Sequence, residues 1–331
     1  MKASNSTDLV KVGVLTCHPT SGHIRHIWGP NINPVDGRVR KTGMVMTHVW
    51  DAEPEQAASF AERYGVEVVE NYGDMVGQVD GVILSDHNET VLFKHLARPY
   101  LESGVPIFIN RPFAFGLKDA REILDLAEKH NTPVMSGSSF EYVKEVGIIR
   151  KQVESLGRIR GYLVDNGTNE YAWHGVHGLF IAYACLGGGI SRVAHVNCDQ
   201  TDPNSIGVLT LEHRGRNGGT PFYGLLQPTG KQAWIKVYGE EGFVEQFLWW
   251  EGSQWDRDTF LWLPMLLRMQ DMFANGTMPE SYENIYEKTQ IFLAGFKSHL
   301  EHRGAPVALS DIGDWQVPSL GPSRFGSVQF V

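Results

Sequence analysis

Two histidines stand three residues apart in "NEYAWHGVHGLF", at His174 and His177, just ahead of an apolar run. At that spacing they share roughly one face of a helix. Imidazoles titrate close enough to neutrality to move protons or ligate a metal. With Glu170 and Tyr171 alongside, acid-base chemistry and a purely structural role are both open readings. A metal would need further ligands, and His18, His23, Asp165 and Glu170 lack diagnostic spacing, so no metal is expected. In "IFINRP", Arg111 ends an apolar run between Asn110 and Pro112. A guanidinium there could clamp a carboxylate or polarise an oxygen, but it is too weak an acid to pass protons readily. A structural ion pair is the alternative. Asp51 closes another apolar run, "MVMTHVWD", where an acid can accept from the ribose of an adenine dinucleotide and repel a 2′-phosphate. That favours NAD over NADP, although an aspartate there can also cap the following helix.

The first apolar run leads into "TCHPTSGH". A dinucleotide loop uses glycines to bring its backbone close to the pyrophosphate. Here only Gly22 remains, and Pro19 has no amide to donate. Thr20 and Ser21 can still offer hydroxyls and backbone N–H groups to an anion, and with Thr16, His18 and Gly22 they form the candidate cofactor loop. Asp86 and Asn110, at two further run ends, complete the candidate cofactor residues. No GxSxG elbow, Walker loop or HExxH is present.

These residues make sense only if a sheet gathers them at one edge. Short apolar runs alternate with helical patterns through the first 140 residues, the signature of βαβ units and a parallel sheet. Strands are expected around Val10–Thr16, Thr42–Asp51, Val66–Glu70, Asp80–Asp86, Val105–Asn110 and in "PVMSGSS". Between them, "EPEQAASFAERYG" places Ala57, Phe60, Ala61 and Tyr64 at helical spacing before Gly65, and "LKDAREILDLAEKHN" repeats the design. After Tyr142, long strands follow one another without helices between them, which argues for a mostly antiparallel sheet. A helical segment, "ESYENIYEKTQIFLAGFKSHLEHRG", and a Gly/Pro/Ser-rich tail close the chain. The expected fold class is α/β: a doubly wound parallel sheet in a domain spanning 1–140, then an α+β domain with an open, mostly antiparallel sheet spanning 141–331.

Bulk properties agree with a two-domain globular chain. A chain of 331 residues suits two cores. A net charge of −9, with Lys and Arg scattered, leaves no face for a phosphate backbone, so nucleic acid is not an expected partner. No apolar run approaches the ~20 residues of a membrane span, and no signal-peptide pattern opens the chain. Three cysteines, Cys17, Cys185 and Cys198, without CxxC spacing fit a reducing compartment, so a cytoplasmic location is expected. The aromatic load, dense in "FLWWEGSQWDRDTFLWLP", fits core and subunit contacts better than ligand contacts.

Taken in order, "VGVLTC", "VWDAEPEQAASFAERYGVEVVENYGDMV", "DGVILSDHNETVLFKHLARPYLESGVPIFINRP", "WHGVHGLFIAYACLG" and "YGEEGFVE" resemble the glucose-fructose oxidoreductase / inositol dehydrogenase family, Gfo/Idh/MocA. The resemblance implies a Rossmann domain, a second domain whose open sheet serves substrate and oligomer contacts, and NAD(P)-linked oxidation of a sugar, polyol or sugar-acid hydroxyl; the open sheet with its aromatic residues makes a homodimer or homotetramer the expected assembly. It lays the family's glycine loop on Thr16 to Gly22, its ribose acid on Asp51, its Glu-Lys-Pro motif on Asn110, Arg111 and Pro112, and its catalytic histidine on His177, with Gly175 retained; His174 is then the expected assisting residue. Three departures stand out: the glycine loop is mostly gone, the lysine is Arg111, and the aspartate of the family's Asp-x-Gly-x-His pattern is Trp173. On the same scaffold a non-redox lyase, dehydratase or glycosidase, or a sugar-binding protein, is the alternative.

Overall fold

The computed structural model describes residues 9–17, 23–85, 92–166, 171, 175–197, 207–215, 220–227, 233–248 and 258–318. Six strands form the first sheet: β1 (Val10–Leu15), β2 (Met44–Trp50), β3 (Glu67–Val68), β4 (Gly81–Leu84), β5 (Ile107–Asn110) and β6 (Val134–Gly137). They lie in the order β3-β2-β1-β4-β5-β6, every pair parallel. This is the doubly wound order, with the crossover point between β1 and β4. The expected strands are all present, trimmed at their ends.

The helices end where their sequences predict. α2 (Pro54–Tyr64) stops at Gly65 in the left-handed conformation, and α4 (Leu117–His130) stops at Asn131 in the same conformation. α3 (Phe93–Glu102) and α4 cover one face of the sheet. A helical run of π-type turns over His23–Trp28, continued by α1 (Gly29–Ile32), covers the other face together with α2.

The second sheet has seven strands in the order β12-β11-β7-β10-β9-β8-β13. They are β7 (Ile159–Asp165), β8 (Ile190–Asn197), β9 (Gly207–His213), β10 (Phe222–Gln227), β11 (Trp234–Gly239), β12 (Gly242–Phe247) and β13 (Val307–Ala308). Its pairs are antiparallel except β7 with β10. One face packs on α5 (Lys144–Glu154), α6 (Val176–Leu186) and α8 (Tyr282–His302) around a shared core. The other face carries Tyr223, Tyr238, Phe243 and Phe247 in exposed positions.

The chain then returns to the first sheet. α7 (Leu263–Asn275), whose Pro264 suits a first helical turn, sends Met265, Leu266, Met269, Met272 and Phe273 into the core beside Val12, Val14, Met44 and Met46. The Phe273 ring lies so close to Gly81 that a Cβ there would sit 2.3 Å from it. α8 reaches the opposite face through Ile285. Among the described residues, no helix is long and apolar enough to cross a membrane.

Candidate active site

Strand register brings the sequence-predicted residues to one edge. Leu15 is paired with Trp50 and with Leu84, and Leu84 with Ile109, so Thr16, Asp51, Ser85 and Asn110 follow one another across the carboxyl end of the sheet. Asn110 is paired with Gly137, which sets Arg111 beside Ser138. At the strand separation of ~4.8 Å, four steps from β2 to β6 cover roughly 19 Å. Ligands of open α/β sheets bind outside this edge.

At the β1 end, Thr16 is fully buried and takes φ of 64°, a left-handed conformation costly for a β-branched residue. The strand therefore turns as a glycine would turn it, although the glycine is missing. The next N–H, from Cys17, donates to Asp51 Oδ2 at 2.6 Å, while Asp51 Oδ1 accepts from Glu53 N at 2.9 Å. Glu53, rather than Asp51, occupies the N-cap of α2. Each Asp51 oxygen keeps a second lone pair. Arg25, which sequence reasoning did not single out, braces this corner: its Nε donates to Cys17 O at 3.0 Å, and Nη1 and Nη2 reach Ser59 Oγ and Gln56 O. Burial, with Asp51 adding to it, pushes the Cys17 thiol far above its ordinary pKa, so it stays protonated and unreactive.

At the β5 and β6 ends, Asn110 is occupied structurally, donating from Nδ2 to Ser85 O at 2.7 Å and accepting from Arg111 N at 2.9 Å. Arg111 is 3% exposed and forms a cis bond to Pro112. His177, in the first turn of α6, is buried with its Nδ1 2.6 Å from Ser138 Oγ and its ring edge-on to Phe140. Ser138 and His177 therefore meet at this end, with Arg111 following the neighbouring strand end. His18, Thr20, Ser21, Gly22, Asp86 and His174 lie outside the described residues.

Ser138 opens a capping box. Its Oγ accepts from Phe140 N at 3.2 Å, and its own N–H donates to Glu141 Oε1 at 2.7 Å. "SSFE" carries the S-x-x-E signature of such a box, the signal by which sequence reading could have found Ser138. Glu141 Oε2 then accepts from Lys288 Nζ at 2.8 Å, and Lys288 also donates to Glu280 Oε1 at 2.8 Å. All three groups are buried. The two carboxylates outweigh the burial that would lower the Lys288 pKa and hold it above its ordinary value. Burial pushes Glu141 up, and it pushes Glu280 up to about 7, with the Glu141 charge adding to the shift and Lys288 opposing it.

A stability consequence follows from Glu280. An ordinary carboxyl, as in the unfolded chain, titrates near ~4.3. Between that value and about 7 the native state holds a proton that the unfolded state has released. Stability therefore falls as pH rises through this window and reaches its low level above it. Glu280→Gln keeps an oxygen toward Lys288 without the charge. Its melting temperature relative to wild type is expected to climb by a few degrees between pH 5 and pH 8 in thermal scans, and a pH-independent difference would contradict the shift.

The family model described as "Oxidoreductase family, NAD-binding Rossmann fold" (GFO_IDH_MocA) matches residues 30–138. Over these residues, about a third of the chain, the sequence is similar to this oxidoreductase family. The match begins beyond the β1 loop and ends at Ser138. Whole-chain folds agree. Myo-inositol dehydrogenase from Lactobacillus casei, solved with NAD(H) and myo-inositol, superposes with a TM-score of 0.74 at 16% identity, covering 96% of this chain and 99% of that one. A probable dehydrogenase from Thermotoga maritima gives 0.73 at 16% identity over 92% and 100%. An Agrobacterium radiobacter oxidoreductase, solved with NAD+, L-tartaric acid and magnesium, gives 0.72 at 15% identity over 91% and 98%. At such identities the likeness concerns the fold. Uncharacterized protein YMR315W of Saccharomyces cerevisiae is 23% identical over 195 residues, which is 51% of this chain and 54% of that protein. The chain thus spans about half the length of this curated relative.

Proposed function

We propose that the protein is an NAD-dependent oxidoreductase that oxidises a hydroxyl group of a sugar, polyol or sugar acid. The observation that carries the reading is the placement of Asp51 at one end of the carboxyl edge and of Arg111, Ser138 and His177 at the other. Asp51 would hold the adenosine ribose, and the turn at Thr16 would lead the chain past the pyrophosphate. The residues fit the cofactor: Asp51 retains acceptor capacity, and the left-handed Thr16 reproduces the turn of the glycine loop. When bound, NAD supplies the hydride acceptor.

The protein supplies proton handling and position. His177 Nδ1 lies 2.6 Å from Ser138 Oγ; in the proposed tautomer Nδ1–H is the donor of that bond, and Nε2 is the ring atom that takes the hydroxyl proton. Arg111 stabilises the oxygen from which that proton leaves, with a charge that persists throughout. Calorimetric titration of nucleotide-free protein is expected to give binding of NAD, with NADP at least tenfold weaker. Asp51→Ala should weaken NAD by about ten- to a hundredfold, the loss of a hydrogen bond to a charged group worth about 1.5–3 kcal/mol. Absence of NAD binding at millimolar concentration would overturn the proposal.

A second copy of the chain is the proposed partner. The open face of the second sheet presents Trp234, Tyr238, Phe243, Phe247, Tyr223 and Leu225 on alternating positions of neighbouring strands. Seven strands of about six residues make a face of roughly 30 by 20 Å, approaching the ~800 Å² per partner of a stable interface. Light scattering should give a dimer, or a tetramer built from it, and Tyr238→Glu/Phe243→Glu should give a monomer.

A further inference from the structure

We infer that Lys288 is a positioning residue for His177, acting from the far side of the Ser138–Glu141 turn; the inference rests on the proposed role of His177 as the base. The geometry is a chain of short contacts. Lys288 Nζ holds Glu141 Oε2 at 2.8 Å, Glu141 Oε1 holds the backbone N–H of Ser138 at 2.7 Å, and Ser138 Oγ stands 2.6 Å from His177 Nδ1.

The carboxylate of Glu141 has little freedom to do this from elsewhere. A Cβ on Gly137 would lie 2.1 Å from Glu141 Oε1, so this glycine, with φ of 145°, is what admits the carboxylate beneath the turn. A second contact reaches the same histidine. The Lys288 ammonium lies 5.0 Å from the centre of the Phe180 ring, and Phe180 follows His177 by one turn on α6. Lys288 also lines one packing gap with Pro112, Ser136, Val176 and Phe180, so it stands directly below the ends of β5 and β6.

A buried ammonium with two buried carboxylates is a poor device for stability alone, since an apolar trio of similar volume often serves as well or better. What the ions provide here is direction. A carboxylate shared between an ammonium and one backbone N–H fixes where the Ser138 turn sits. Ser138, itself held by the Lys288 network, gives the imidazole a neutral partner from another element.

The test needs neither substrate nor cofactor. With ¹⁵N-labelled histidine, the ring nitrogen shifts of His177 report its tautomer, assigned by their loss in His177→Gln. Wild type is expected to hold Nδ1–H as the dominant form. Glu141→Gln keeps an oxygen for Ser138 N–H but severs the tie to Lys288, and it leaves Lys288 with Glu280 as a balanced pair that favours folding. Lys288→Met/Glu280→Gln removes the tie from the other side. Each variant is expected to raise the minor Nε2–H tautomer at least threefold, and Ser138→Ala more.

Unchanged His177 shifts in either folded variant would overturn the inference, because a merely structural role would lower the melting temperature and leave the ring alone. The two readings fail separately. Full turnover in His177→Ala with altered shifts in Glu141→Gln refutes the role of the base. Lost turnover in His177→Ala with unchanged shifts in Glu141→Gln refutes the Lys288 network.

Discussion

Replacing His177 by alanine is expected to lower hydroxyl oxidation by roughly 10²- to 10⁴-fold, the usual contribution of a positioned general base, while NAD affinity stays as in wild type. The separation arises because His177 and Asp51 stand at opposite ends of the carboxyl edge, on β6 and β2 contacts respectively. The fall should appear in kcat at saturating substrate, since the lost interaction is made while the proton moves. The measurement is formation of reduced cofactor across a panel of sugars, polyols and sugar acids, with calorimetry of NAD on the same preparations. A variant that binds NAD and retains turnover within threefold of wild type removes His177 from the chemistry. The ring is 7% exposed and packed on Phe140, so alanine also leaves a cavity. The melting temperature must therefore be measured alongside, to show that the assayed protein is folded.

Lys288→Met should destabilise the fold by about 3–5 kcal/mol, the cost of leaving a buried charge without its partner. Lys288 is 3% exposed and pairs with both Glu141 and Glu280 from 2.8 Å. Without it, the two carboxyls face each other's charge in a site that already raises both of their pKa values. The deficit should shrink in acid, where protonation relieves both groups, and be largest above pH 7. Urea unfolding at pH 5 and pH 8 checks the magnitude and its trend, and an equal loss at both values would show that packing rather than charge is responsible. Adding Glu280→Gln to Lys288→Met should recover part of the loss, because one of the two stranded charges is gone.

Much of this architecture is legible in the sequence, and the exceptions have particular causes. The parallel strands show as apolar runs because both faces of that sheet are covered. Glu67–Val68 is shorter than its apolar pattern suggests, since an edge strand pairs on one side only. β10 escapes the alternation rule: Gly224 interrupts it where the Tyr162 ring passes so close that a Cβ would sit 1.9 Å away. α7 is masked by the aromatic stretch before it and by Pro264, which opens the helix instead of breaking it. At the site, Asp51, Arg111 and His177 are legible because strand ends and helix starts can be placed from pattern alone. Lys288 and Glu280 are not, because their meaning depends on Glu141, which is 147 positions from Lys288. A lysine on the stripe that also carries Ile285, Thr289 and Phe292 is the one local hint.

The return of α7 to the first sheet bears on how the protein is born. β6 ends at Gly137, yet the residues that seal the face holding Val12, Met44 and Met46 lie between Met265 and Phe273. At a synthesis rate of roughly 5–20 residues per second, that face waits on the order of ten seconds for its cover to be made. During this interval the nascent chain carries an open apolar surface, and a fragment ending near residue 140 carries it permanently. Such a fragment should aggregate or recruit chaperones, whereas supplying residues 258–302 in trans should return it to solution.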